Sequence, residues 1–247
     1  MSDESQDRRL CSISTLWPVV HQAHQQSGDA AREARHQLLE RYGSAIRRYL
    51  MASLRDPAAV EELWQEFALR LLNGDFRRAD PGRGRFRDYI KTILYHMLTG
   101  HYRRRQRQLR PLEHDHAEPA APDEPSFDRA FTESWRDQVL ANAWRALAAA
   151  ESAGGPPHYT VLKLRAEHLG LGSTELAGRL GARLGQAFSA PGARQALCRA
   201  RERFITLLID EVAESLGGAS PDRLEDELID LGLFEYCRGA LNRRRRD

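Results

Sequence analysis

The sequence predicts an all-α fold: two helical domains joined by a flexible acidic, Pro-rich linker, the second containing a helix-turn-helix. Three observations carry this expectation. Apolar residues recur at three- and four-residue intervals through most of the chain, the period of a helix that buries one face. No segment alternates apolar and polar side chains for long enough to make a strand. Residues 111–126, PLEHDHAEPAAPDEPS, are rich in proline and acid and poor in large apolar groups, so they divide the chain rather than join a core. The expected boundaries are a first domain over 1–110, a linker over 111–127 and a second domain over 128–247.

Taken in order, residues 1–12 are polar and expected to fray. From Ser14 to Leu54 the pattern is helical, with Leu38, Leu39, Tyr42, Ile46, Tyr49 and Leu50 on one face. Asp56-Pro57 opens a second helix, because Asp can cap and Pro suits the first helical position. That helix, AAVEELWQEFALRLLNG, stops at Asn73-Gly74, and Leu63, Phe67 and Leu71 share its buried face. The loop DFRRADPGRGR follows; its Pro and glycines forbid a continuing helix. A third helix carries Phe86, Tyr89, Ile90, Ile93, Leu94, Met97, Leu98 and Tyr102 on one face and ends in a run of arginines.

Beyond the linker, Phe131, Trp135, Val139, Ala143, Trp144 and Leu147 mark an amphipathic helix ended by AGGPP, and Val161 to Leu169 marks another. Then comes STELAGRLGARLGQAFSAPGARQALCRARERF. Ser173 or Thr174 can cap a short helix with the face Leu176, Ala177 and Leu180, ended by Gly181 or Gly185. A second helix begins near Ser189 as cap, with Pro191 in its first turn, and carries Arg194, Arg199, Arg201 and Arg203. This is the plan of a helix-turn-helix; a generic helical hairpin has the same plan. A last helix, 220–241, has a Ser-Pro start and an apolar face of Leu224, Leu228, Ile229, Leu231, Leu233 and Phe234, expected to pack back on the second domain; the alternative is a regulatory or partner surface.

Composition narrows the function class. The net charge of +2 conceals an arginine bias, because Lys91 and Lys163 are the only lysines, and guanidinium suits phosphate better than ammonium does. Cys11, Cys198 and Cys237 stand singly without a CxxC pair, which fits a reduced cytoplasmic compartment and argues against a zinc ribbon. The N-terminus lacks an apolar signal core and no apolar run approaches membrane-spanning length, so neither secretion nor membrane insertion is expected. His21-x-x-His24 and His114-x-His116 are the only His pairs that could suggest a metal, and neither sits at ligand spacing with Cys, Asp or Glu. The expectation is therefore not an enzyme, with no catalytic residue, metal or cofactor.

Three stretches suggest binding instead. Glu61-Glu62-Leu63-Trp64-Gln65-Glu66 reads either as an ordinary amphipathic helix with acid near its N-terminus or as a Trp-centred surface for a protein partner. In GRGRFRDYIK, Arg83, Arg85 and Arg87 surround Phe86 and are followed by Lys91; arginines interleaved with an aromatic suit single-stranded nucleic acid, and the equal alternative is a solvated loop with Phe86 in the core. His101, Tyr102, Arg103, Arg104, Arg105 and Arg107 concentrate more cation than a helix C-terminus needs, and phosphate is the natural counter-anion.

The order of these features resembles the bacterial RNA polymerase sigma factors of the small extracytoplasmic-function (ECF) type, over roughly residues 14–215. The carriers are DPxxxEELxQEFxLRLL, DPxRGxFRxYIKxIxxH, the arginine run, the acidic linker and a helix ending RARERF. The resemblance implies that Glu61, Glu62, Leu63, Trp64, Gln65 and Glu66 dock on the clamp coiled coil of core RNA polymerase. It implies that Arg83, Arg85, Phe86, Arg87, Lys91, His101, Tyr102, Arg103, Arg104, Arg105 and Arg107 capture and hold the −10 element. It implies that Ser189, Arg194, Gln195, Arg199, Arg201 and Arg203 face the −35 element. The partners implied are core polymerase and promoter DNA, duplex and single-stranded; the resemblance leaves room for an anti-sigma factor. Between Gly181 and Ser189 the chain departs from the family by several residues in the turn. The competing reading is a free-standing helix-turn-helix regulator that binds duplex alone.

Overall fold

The computed structural model describes residues 29–73, 85–109, 124–216 and 220–246, and among them every regular element is an α-helix. They are α1 (Asp29–Leu54), α2 (Pro57–Asn73), α3 (Phe86–Leu109), α4 (Glu124–Ser152), α5 (His158–Glu167), α6 (Ser173–Leu184), α7 (Ala190–Ser215), α8 (Pro221–Asp230) and α9 (Phe234–Arg244). The expected helical stretch 14–28, the loop 74–84 and most of the acidic linker fall outside the described residues, as do Arg83, Cys11 and both His pairs. Helix α4 starts at Glu124, three residues inside the stretch that composition marks as linker.

The chain divides into two units: one formed by the residues up to Gln138 with Ala213–Leu231, the other by Val139–Val212 with Gly232–Asp247. The first unit therefore includes the opening turns of α4, which a boundary at the Pro-rich stretch assigns to the second domain.

In the first unit, Leu38, Tyr42, Ile46, Tyr49 and Leu50 of α1 are buried, as their spacing predicts. The α1–α2 corner takes two residues. Arg55 adopts a left-handed φ of 53° and donates its amide to Met51 O at 3.0 Å, closing α1. Asp56 then accepts from the amides of Ala58 and Ala59 at 3.0 and 3.4 Å, the cap its sequence position suggests. Helix α3 buries Phe86, Ile90, Leu94, Met97 and Leu98. An aromatic cluster closes the core. The Trp135 indole of α4 stacks on Tyr42 with centroids 4.5 Å apart and planes 3° from parallel, and Phe86 lies 5.7 Å from Tyr42. Phe131 meets Tyr49 edge-on at 5.2 Å, and Arg48 donates to Ser134 O at 3.0 Å. These contacts hold the start of α4 to α1 and α3.

In the second unit, Val139, Ala143 and Leu147 of α4, Val161, Leu162 and Leu164 of α5, Leu176, Ala177 and Leu180 of α6, and Ala193, Leu197, Ala200 and Phe204 of α7 are buried. Trp144 packs on Phe204 at 5.1 Å. The start of α6 differs from expectation: its N-cap is Gly172, whose amide donates to the Glu175 carboxylate at 3.2 Å, rather than Ser173 or Thr174. Of the two stops the sequence offers, the helix passes Gly181 and ends after Leu184, so part of the stretch between Gly181 and Ser189 lengthens α6. Gly185, at φ 67°, makes the stop, and the connection is 185–189. A Cβ at Gly181 would stand 3.1 Å from Gln186 O, so the backbone of the turn would have to give by a few tenths of an ångström to admit one. Ser189 caps α7, accepting from Gly192 N at 3.1 Å.

The expected last helix is two helices, because Gly232 takes φ 68° between α8 and α9. Only α9 belongs with the second unit. Helix α8 makes its ion pairs with the first unit instead.

Candidate functional site

On α2, Glu62 and Gln65 are exposed, and Glu61, Trp64 and Glu66 are half-buried. Leu63, at 0% exposure, belongs to the core and shapes the helix instead of presenting a contact. Trp64 is shared between surface and core. Its ring stands 6.1 Å from Phe67 and lies across Gly43, where a Cβ would come within 2.7 Å of the ring. The Arg47 guanidinium sits 4.6 Å from the Trp64 ring centroid and pairs with Glu61 at 2.7 Å. Glu66 pairs with Arg70 one turn on and lies 3.7 Å from Arg104 of α3. Sequence reasoning missed Gly43 and Arg47. The signal was a glycine inside a helical run, unfavourable by about 1 kcal/mol unless close approach requires it.

At the C-terminal end of α3, Arg103, Arg104, Arg105 and Arg107 are all exposed. The three-turn stretch before them is anchored: Tyr102 donates its hydroxyl to Ser53 O at 2.8 Å, and Lys91 lies 3.2 Å from Asp128 of α4. His101 is half-buried. The arginine run is thus an exposed cationic end on a helix whose apolar face is fixed in a core.

The start of α3 is arranged differently. Phe86 is 3% exposed and Arg87 7%, so the ring and one flanking guanidinium point inward rather than into solvent. Arg85 Nη1 contacts Glu227 of α8 at 2.7 Å and also Asp230. Arg87 Nε lies 2.9 Å from Glu227 Oε1, and its Nη2 contacts Glu227 and Asp230 at 3.2 Å each. Glu227 is 1% exposed, and burial holds its carboxyl above the usual range against the opposing pull of Arg87 and Arg85.

In the second unit, Ser189, at the cap of α7, and Arg194, Gln195, Arg199, Arg201 and Arg203 are all exposed, spread over the arc of α7 outside the buried line of Ala193, Leu197, Ala200 and Phe204. The field of this basic face reaches His158, whose imidazolium is disfavoured first by burial and then by Arg203. Helix α9 flanks α7: Arg244 pairs with Asp210 at 2.6 Å and Arg243 lies 3.9 Å from Glu202.

The arrangement provides two exposed cationic surfaces and one mixed acidic-aromatic surface. Among the described residues no group of His, Cys, Asp and Glu could hold a metal, and no helix is long and apolar enough to cross a membrane. Residues 38–108 match the family model for sigma-70 region 2, a stretch that runs from the middle of α1 through α2 and almost to the end of α3. No curated protein and no solved structure matches the chain.

Proposed function

We propose that this chain, a sigma-70 family member by its region 2 segment at residues 38–108, is a promoter-specificity factor of the ECF type that binds core RNA polymerase and directs it to promoters. One observation carries the reading. The matched segment contains both the surface of Glu61, Glu62, Trp64, Gln65 and Glu66 and the exposed arginines 103–107, on consecutive helices of one unit.

In this reading the exposed side of α2 docks on polymerase, and Trp64 is offered in a fixed pose by Gly43 and Arg47. Arg103, Arg104, Arg105 and Arg107 hold phosphates of the opened −10 strand, with Lys91, His101 and Tyr102 in the half-buried stretch beside them. The α6–turn–α7 element meets the −35 duplex through Ser189, Arg194, Gln195, Arg199, Arg201 and Arg203. No covalent chemistry is asked of the chain. Its contribution is to bind and position, and it acts in the cytoplasm.

The test is co-elution with core polymerase followed by transcription from a promoter-fragment library. Complex formation and new transcript starts are expected. A protein that ignores core polymerase but retains specific duplexes would support the regulator reading, which the exposed arginine face of α7 favours.

A further inference from the structure

Arg85 and Arg87, expected to meet nucleic acid, are already occupied by anions. Glu227 and Asp230 stand three residues apart on α8, so both carboxylates face the same side of the helix. Together they contact both guanidiniums, four ion pairs between two cations and two anions. Asp88 adds a nearby negative charge, and Thr132 Oγ1 lies 3.5 Å from Arg87 Nη1. A carboxylate held against a guanidinium offers the same geometry as a phosphate, oxygen acceptors on a planar fork.

We propose that α8 is a built-in cover of the strand-binding surface: Glu227 and Asp230 occupy, on Arg85 and Arg87, the places that phosphates of single-stranded nucleic acid take once α8 leaves. The cover rests on the reading that the start of α3 touches nucleic acid, and it regulates that same site.

The energetics suit a removable cover. Helix α8 has ten residues, too few to be stable in isolation, so its helicity depends on what it docks against. Buried ion pairs stabilise little on balance, because desolvation offsets most of the attraction. At Glu227 that offset is visible, since burial outweighs both guanidiniums in setting the direction of its shift. Undocking returns two carboxylates to water, and incoming phosphates then replace them on the arginines. The shift is limited to the difference in affinity between covered and uncovered states.

The full chain and its Glu227→Gln/Asp230→Asn variant are titrated with a fluorescent mixed-sequence single-stranded DNA of about 20 nucleotides, longer than one binding site. Salt is varied. The variant should bind about tenfold more tightly, and its slope of log K against log[salt] should steepen by about 1.4, for two added phosphates at roughly 0.7 each. Adding Arg85→Gln and Arg87→Gln to the variant should abolish the gain. Asp222→Asn/Asp226→Asn changes the charge of α8 equally on its exposed positions and should give no such gain. Asp230, with a side chain 49% exposed, allows Asp230→Asn alone to decide the matter if loss of Glu227 unfolds the protein; it should give a smaller gain in the same direction. An unchanged affinity and slope in a folded variant overturns the cover, as does an equal gain from the exposed-face control. Co-elution of the unmodified chain with core polymerase is scored separately. Its failure sinks the sigma reading alone, and an absent gain with co-elution intact sinks the cover alone.

Discussion

At the residue scale, Gly43 and Trp64 show how a surface anchor is held. A methyl group at Gly43 would stand 2.7 Å from the indole, so Gly43→Ala must displace the ring. Overpacking of this kind costs about 1–3 kcal/mol, set against about 1 kcal/mol of helix propensity regained. Urea denaturation should show a net loss near 1 kcal/mol, with weaker polymerase docking. Cys237 is buried and its thiol is pushed up to about 11, whereas Cys198 is exposed. A maleimide should label Cys198 well before Cys237, read by peptide mapping. His158 gives a pH prediction. Its folded pKa lies below 6.5, so acid protonates the unfolded chain first, and the stabilising contribution is complete above 6.5 and lost as pH falls through the depressed value. The melting temperature should fall on acidification, less steeply in His158→Asn.

At the element scale, the α1–α2 corner depends on Asp56, which accepts two amides. Asp56→Ala should destabilise by about 1 kcal/mol in thermal melts. Periodicity made the helices legible: Leu63, Phe67 and Leu71 of α2, Ile90, Leu94 and Leu98 of α3, and Leu176, Ala177 and Leu180 of α6 are buried where their spacing selects them, because a 3.6-residue stripe is a local property. The breaks were less legible. Gly181 continues its helix and Gly185 stops it, and the difference lies in backbone that folds back over one and not the other. Likewise Gly232 divides a stretch whose apolar pattern reads as continuous. Of the site, the exposure of the arginine run could be read from its density. The pairing of Arg85 and Arg87 could not, because their partners lie about 140 residues away in sequence and leave no periodic trace.

At the scale of the whole molecule, each unit takes chain from distant parts of the sequence: the first gathers α1–α3, the opening of α4, α8 and the last residues of α7, the second the rest of α4 with α5, α6, α9 and most of α7. Composition marks a boundary where large apolar residues thin out. It does not register that Phe131 and Trp135, beyond the thin stretch, complete the aromatic core before it. The contacts also bear on which residues would separate the two proposed tasks. Glu66 contacts Arg104, so neither residue belongs cleanly to one surface. Glu62 and Gln65 on one side, and Arg103, Arg105 and Arg107 on the other, are exposed and distinct.

Those residues define the most direct measurement of the central claim, that α2 docks polymerase while the end of α3 holds the opened strand. Glu62→Ala/Gln65→Ala and Arg103→Gln/Arg105→Gln/Arg107→Gln are compared for co-elution with core polymerase and for salt-dependent binding of single-stranded DNA. The first variant should lose co-elution and bind DNA as before. The second should keep co-elution and lose about 2 from its salt slope, for three phosphates at roughly 0.7 each. Equal loss of co-elution in both variants, or an unmodified chain that never associates with core polymerase, would contradict the account.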